Sequence, residues 1–327
     1  MPRRTRPTPP ARPAPPAKRP ATQRSSKGHP SDWTPPSVER AFSWFPGHML
    51  KAQQRLGEEI KQADLVLELR DARLPVRSAN PKLAEIAGHK PRLVVLNKAS
   101  LADPGSTLAW SAAFDAAGLA HLFVDADSRQ GMAALLTRVA DLTRSGQDKL
   151  RARGIRPAPP RVVIVGLPNV GKSTLINRLA KRQRAKTAPM PGVTRHLTWI
   201  AVEDKFLLMD SPGIMLPRIA SERDAHALTW VGAIKDTILG PQRVAEALLM
   251  HLLAHRAELP AHSWWPQDWR DHSIVEILTT IARQRGFLAP GGGINFAKTS
   301  QFVLEQYRMG HLGRMTFDEA PREKRAG

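Results

Sequence analysis

Residues 161–174 read RVVIVGLPNVGKST, and this stretch decides the fold. Val162, Val163, Ile164 and Val165 form a buried-strand run that ends at Gly166, and Leu167–Pro168–Asn169–Val170 leads into Gly171–Lys172–Ser173–Thr174. The helical text LINRLAKR follows. Strand, G-x-x-x-x-G-K-[ST] and helix in that order make a phosphate-binding loop. Glycines let successive backbone N–H groups turn toward an anion, and the helix N-terminus adds its dipole. Lys172 is then the contact to the β- and γ-phosphates and the Ser173 hydroxyl a ligand for Mg²⁺, with Asn169, Val170, Gly171 and Thr174 completing the cradle.

The chain has 327 residues, long enough for two domains of ordinary size, each with a core of its own. It contains no cysteine, which excludes disulfides and Cys-ligated zinc and fits a reducing compartment. No apolar run approaches the ~18 residues that span a bilayer. No signal-peptide core follows the basic N-terminus. The expectation is a soluble, cytoplasmic protein with no membrane partner. A formal net charge of +20 and a pI near 11.1 favour a polyanionic partner through counterion release, with nucleic acid ahead of membrane.

Residues 1–36 are rich in Pro, Ala and Arg and cannot form a core, so they read as an extended, solvated basic tail. Their Lys and Arg side chains suit contact with RNA and suit passive solubilisation equally. Prolines that forbid an amphipathic helix argue against a mitochondrial presequence. A helix over 48–63 and strands at 64–69, 93–96 and 122–124 follow, then helical text at 131–144, and only afterwards the phosphate loop. Beyond it, 197–202 and 206–209 alternate as a hairpin through Glu203–Asp204–Lys205.

Strands alternating with helices predict an α/β domain at 37–219, a mostly parallel sheet covered on both faces. From about 220 the pattern turns helical, so 220–317 is expected to be an all-helical domain and 318–327 a short tail. Ile274, Ile277, Leu278 and Ile281 mark one buried helix face. Val244, Ala247, Leu248 and Met250 or His251 mark another more loosely.

Asp210–Ser211–Pro212–Gly213 lies at a strand end, where Asp210 can hold a water on the metal and the Gly213 N–H can meet a γ-phosphate. Thr194 sits in the intervening loop, placed to bring its hydroxyl to Mg²⁺ only while a γ-phosphate is present. Asn97–Lys98–Ala99–Ser100 resembles the guanine-reading Asn-Lys-x-Asp motif of the GTPase superfamily, in which the lysine stem packs over the base and the acid accepts from the guanine edge. Ser100 carries no charge, so guanine affinity should suffer unless Asp103 or another acid substitutes. Asp125–Ala126, at the end of the third strand, completes the candidate nucleotide-binding set.

In an ordinary GTPase the phosphate loop precedes the guanine motif, and here the order is reversed. Either Asn97–Lys98 is coincidence or the chain is a circular permutation. Permutation is favoured, because helix 48–63 and the strands after it follow in the order expected beyond Asp-x-x-Gly. The cut then lies just past Gly213, and Trp44–His48 and Ile214 both sit beside the second switch loop. A helical domain tethered there can respond to the γ-phosphate.

With these residues in view, the chain resembles the ribosome biogenesis GTPase A family, also called the YlqF family, of circularly permuted GTPases. WFPGHM at 44–49, DLVLELRDARLP at 64–75, NPKL at 80–83, NKAS at 97–100, GLPNVGKSTLINRL at 166–179, PGVTR at 191–195, DSPGI at 210–214, GAIKD at 232–236, RQRGFL and GHLGRMTFD carry the likeness. It extends over roughly 40–317. The resemblance implies a GTP hydrolase, using GTP/GDP and Mg²⁺, in late assembly of the large ribosomal subunit and stimulated by the precursor particle it binds. Its helical domain would contact ribosomal RNA, with Arg283, Arg285, Lys298, Arg308 and Arg314 as candidates for phosphate contact. Ile214 stands where many GTPases carry a catalytic Gln, so His48 is the candidate for orienting water, or else a structural helix-start histidine. Asn169 matches the loop asparagine that helps coordinate K⁺ in similar GTPases, or else stabilises the loop.

Overall fold

The computed structural model describes residues 46–180, 199–211, 219–255 and 258–321, with side chains from residue 54 onward. The tail 1–36, Thr194 and Gly213 lie outside the described residues. The described residues fall in one compact unit, Val38–Gly327.

Six strands form one sheet: β1 (Leu65–Asp71), β2 (Arg92–Asn97), β3 (His121–Phe123), β4 (Arg161–Gly166), β5 (Trp199–Val202) and β6 (Phe206–Asp210). Their spatial order is β3-β2-β1-β4-β6-β5, parallel throughout except for β5 against β6. The first three strands fill one half of the sheet and the last three the other. β1 and β4, far apart in sequence, are therefore neighbours at the centre. This is the circularly permuted arrangement expected from the reversed motif order, with the phosphate-loop strand flanked by β1 and β6.

The central strands read as nearly continuous apolar runs because both faces are covered. Every residue of β1 is buried, and its Glu68 is paired with Arg70 at 2.9 Å and with Arg92 at 3.7 Å. The β5–β6 hairpin connects through Glu203, Asp204 and Lys205, with Glu203 and Asp204 at positive φ (46° and 51°) and the Lys205 N–H donating to the Val202 carbonyl at 2.8 Å.

Helix α1 (Pro46–Lys61) lays Leu56 and Ile60 against Val163, Trp199 and Met209. Next come α2 (Leu83–Ala87), α3 (Pro104–Ala116), α4 (Met132–Ala152) and α5 (Lys172–Ala180), the last opening directly from the phosphate loop. Helices α6 (Glu222–Trp230), α7 (Pro241–Ala254), α8 (Ile274–Arg285) and α9 (Phe296–Arg308) make up the C-terminal region. Each of α6, α8 and α9 begins at a side chain that accepts a backbone N–H: Ser221, Ser273 with Glu276 in a capping box, and Asn295.

On α7 the buried face is Val244, Ala245, Leu248, Leu249 and Leu252, while Met250 is exposed. Of the looser spacing, Val244 and Leu248 face the core, Ala247 packs at its border and His251 is half-buried against Trp230 and Phe317, and Ala245, Leu249 and Leu252 widen the face because α7 is apolar on more than one side. Sheet residues such as Leu65 and Ile164 share one apolar cluster with Leu228, Trp230, Leu248, Ile277, Val303 and Phe317. The helical region therefore packs as a continuation of the sheet's core. Order extends past the expected start of the terminal tail, since Asp318 is buried and accepts the backbone N–H groups of Val76 and Arg77.

Candidate functional site

All the motifs that the sequence singles out on strands lie at the carboxyl edge of the parallel strands, where α/β sheets place their ligands. Asn97 closes β2 and reaches under the phosphate loop. Its Nδ2 donates to the Val170 carbonyl (2.9 Å), and its Oδ1 accepts from the Ala126 N–H (3.0 Å). One buried amide thus ties the guanine-type motif to the phosphate loop and to the chain after β3.

The loop leaves no room beside it. Gly171 has φ +97°, and a Cβ there would meet Asn97 Nδ2 at 2.2 Å. A Cβ on Gly166 would meet the Leu69 carbonyl of β1 at 2.5 Å. Close approach demands both glycines of the motif and the left-handed turn demands Gly171 as well, and the cradle they shape suits a polyphosphate.

Lys172 opens α5 and is buried, donating to the carbonyls of Gly166 (3.0 Å) and Leu167 (3.1 Å). Burial draws its pKa below the ordinary lysine value, opposed by the charge of Asp210. Asp210 ends β6, the strand beside β4, and the following Ser211 hydroxyl donates to the Ile164 carbonyl. Ser173, next to Lys172, is exposed, and Thr174 is half-buried.

Asn169 takes a left-handed backbone (φ 60°) and donates its Nδ2 to the Gly232 carbonyl (2.8 Å), joining the phosphate loop to the GAIKD segment. His48 lies in the first turn of α1, within the residues whose side chains are outside the description.

Lys98, also left-handed (φ 61°), donates to the Asn169 carbonyl at 2.9 Å and lies 3.3 Å from Asp71 Oδ2. Asp71 closes β1, fully buried, and takes a two-pronged contact from Arg73: Nε to Oδ1 and Nη2 to Oδ2, each 2.9 Å. Burial pushes this carboxyl up, but the charges of Arg73 and Lys98 outweigh it and hold it at about 2. Arg73 in turn lies 5.3 Å over the Tyr307 ring of α9, and burial pushes the Tyr307 phenol up to about 12 against the opposing pull of that guanidinium. Ser100, exposed, donates its hydroxyl to the buried Asp125 carboxylate, which also accepts from the Ser128 N–H at 2.8 Å.

Sequence reasoning gave no role to Asp71 and Arg73. The available signal was an acid at the carboxyl end of a buried strand with an arginine two residues beyond it. It also passed over the support that GHLGRMTFD provides. Arg314 donates to the carbonyls of Ala102 (2.9 Å) and Ala99 (3.4 Å), Met315 N–H donates to Leu101, and the Thr316 hydroxyl accepts from Asp103 N–H.

Asp103 and Arg308 depart from expectation, and Arg314 carries a structural task that the sequence did not show. Asp103 caps α3, accepting from Ser106 N–H at 2.6 Å, so its carboxylate is already engaged away from the base. Arg314 supports the loop 99–102, and Arg308 grips the carbonyls of Thr229 and Trp230 and pairs with Asp236. Arg308, half-buried, is turned inward rather than toward a phosphate backbone, because carbonyls in such a setting need donors, whereas Arg314 is exposed and spends its Nε and Nη2 on the loop carbonyls.

The family described as "50S ribosome-binding GTPase" matches residues 161–275. A ribosome biogenesis GTPase A of Bacillus cereus is 45% identical over 286 residues, covering 86% of this chain and 95% of that protein. The mitochondrial ribosome-associated GTPase 1 of Mus musculus is 33% identical over 295 residues, covering 84% and 89%. The crystal structure of GNP-bound YlqF from T. maritima shares the fold, with a TM-score of 0.61 at 24% identity over 83% of this chain and 98% of that one. A permuted sheet, a phosphate loop laced to a guanine-type motif and near-full-length likeness at this identity agree, and the chain belongs to the ribosome biogenesis GTPase A family, as a GTPase.

Proposed function

We propose that this GTPase acts in late maturation of the large ribosomal subunit, docking on precursor particles in its GTP state and leaving after particle-stimulated hydrolysis. The observation that carries the reading is the Asn97 amide bonded to the Val170 carbonyl, which brings a base-reading motif and a phosphate loop to one cleft built from the same core as the helical region.

In this reading Asn97 and Lys98 hold the base, with Ser100, Asp125 and Ala126 beside them, and Lys172 neutralises the β- and γ-phosphates within the backbone cradle of 169–174. Ser173, Thr194 and Asp210 would hold Mg²⁺, which supplies charge neutralisation on the phosphate oxygens. The Gly213 N–H meets the γ-phosphate, His48 orients the attacking water where Ile214 cannot, and the Asn169 side chain helps to hold K⁺.

The helical region meets ribosomal RNA through exposed Arg283, Arg285 and Lys298. Arg285 lies 4.9 Å over the Phe302 ring and Lys298 4.7 Å over Phe287, which sets cations beside aromatic faces as nucleic-acid surfaces do. The family's printed description and the relatives' names support a ribosomal target. Co-sedimentation with large-subunit precursors tests it, run with a non-hydrolysable GTP analogue and with GDP alongside hydrolysis with and without particles. Binding only with the analogue, and faster turnover with particles, is the expected result. Particle binding without any stimulation would instead make the nucleotide a conformational latch.

A further inference from the structure

We propose that Asp125 supplies the guanine-reading charge that position 100 lacks, so that Ser100 and Asp125 together select a purine carrying hydrogen-bond donors at N1 and at the C2 amino group. The inference rests on the reading of 97–100 as the base-binding end of the cleft.

The pair is built rigidly. The Ser100 hydroxyl donates to Asp125 Oδ2, and the Ser100 N–H points to the same oxygen at 3.4 Å. Asp125 Oδ1 accepts from Ser128 N–H at 2.8 Å, and the Asp125 backbone N–H donates to the Gln130 carbonyl. The next residue, Ala126, is pinned by Asn97 Oδ1. Asp125 is 4% exposed while Ser100 is exposed, so the hydroxyl is the outward member and the carboxylate the inward one.

A serine hydroxyl has one proton and two lone pairs. With the proton committed to Asp125, Ser100 can offer only lone pairs to what lies beyond it. That is the polarity a guanine edge requires, because its N1–H and amino group are donors. The negative charge one bond behind polarises the hydroxyl and strengthens it as an acceptor, as linked hydrogen bonds reinforce one another inside a protein. Burial pushes the Asp125 carboxyl up, but the hydrogen bonds from Ser100 and Ser128 outweigh it and hold it below the ordinary carboxylate range, so it is ionised near neutral pH. Relative to Asn-Lys-x-Asp, the acid has moved from the fourth position of the motif to the end of the third strand, with a hydroxyl standing in its place.

The test is titration calorimetry of the full chain with GDP, IDP, which lacks the C2 amino group, and XDP, which has a carbonyl there. Asp125→Asn is expected to weaken GDP by about tenfold or more and to bring the GDP-to-IDP ratio toward one. Ser100→Asp alone sets two carboxylates together and weakens GDP, whereas the exchange Ser100→Asp with Asp125→Ser restores affinity to near that of the parent chain. Thermal melts confirm that each variant is folded, and the exchange keeps the test decisive if Asp125→Asn melts early.

Unchanged GDP affinity and GDP-to-IDP ratio in Asp125→Asn would overturn the proposal. So would tighter GDP binding by Ser100→Asp alone, or the same loss of selectivity from Asp127→Asn, a neighbouring exposed acid. Lys98→Ala separates the two levels. If it loses GDP while Asp125→Asn does not, only the role of Asp125 falls; if neither loses GDP, the base-end reading of 97–100 falls with it.

Discussion

Asn97 and Gly171 interlock: the amide nitrogen at the end of β2 lies 2.2 Å from the place a Cβ on Gly171 would take, in the turn of the phosphate loop. The amide cannot swing aside without leaving both the Val170 carbonyl and the Ala126 N–H. Gly171→Ala is therefore expected to cost about 1–3 kcal/mol for the left-handed backbone alone, before Asn97 is displaced. Denaturant melts and GDP titration check this. A fall in nucleotide affinity larger than the fall in stability is expected, because the displaced amide serves the site more than the core.

Asp71 carries a pH dependence whose sign can be worked out. Its pKa of about 2 in the folded chain lies below the ordinary 3.8, so the folded form holds the proton less firmly than the unfolded chain does. The stability this contributes, about 2 kcal/mol, is present above pH 3.8 and lost as pH falls toward 2. Asp71→Asn should flatten that acid limb in urea melts between these values. At neutral pH it should cost about 3–5 kcal/mol, because Arg73 is left buried without its counter-charge. It also frees Lys98 from a 3.3 Å ion pair, so GDP affinity should fall in the fraction that remains folded.

Lys172 predicts the opposite limb. Burial holds its pKa below 10.5, so the unfolded chain binds that proton more firmly and stability rises with pH between the folded value and 10.5. A polyphosphate beside the ammonium raises its pKa again, so GDP binding in alkaline buffer should take up a proton. Calorimetry in buffers of different ionisation enthalpy measures it. Lys172→Met should abolish the uptake and weaken GTP on the order of a hundredfold, as expected when charge-assisted phosphate contacts are removed.

Arg314 makes the C-terminal segment part of the base loop. Removing its side chain deprives the carbonyls of Ala99 and Ala102 of their guanidinium donors. Arg314→Ala should cost about 1–3 kcal/mol of stability. GDP affinity should fall more than affinity for a bare pyrophosphate, since the support lies behind residues 99–102 rather than behind the phosphate loop. Competition titrations with both ligands decide it.

Asp318 fastens the same segment to the loop after β1. It accepts the N–H groups of Val76 and Arg77 and pairs with the Arg77 guanidinium, which also reaches Asp224 of α6. Asp318→Ala takes a buried carboxylate away from two backbone donors and from one arm of the partly exposed Arg77 ion pair, so a loss of about 1–3 kcal/mol is expected in thermal or chemical melts.

The sequence by itself determined the sheet's composition, the phosphate loop and the reversed motif order, because these depend on local periodicity and on glycines at fixed spacing. A short β-branched run such as Val162–Val165 that stops at Gly166 reads as a strand buried on both faces, and a guanine-type motif ahead of a phosphate loop leaves permutation as the economical topology. Tertiary structure alone decided how the motifs are held. Asp71 with Lys98, Ser100 with Asp125, and Arg314 with Ala99 are pairs separated by tens to hundreds of residues, brought together only when strand order is set. The same distance hid the inward turn of Arg308, whereas the capping of α3 by Asp103 is local, three residues long, and was legible in Asp103–Pro104 as a cap followed by a first-turn proline. A charged residue's task depends on which desolvated partner it meets, and that partner lies across the fold rather than along the chain.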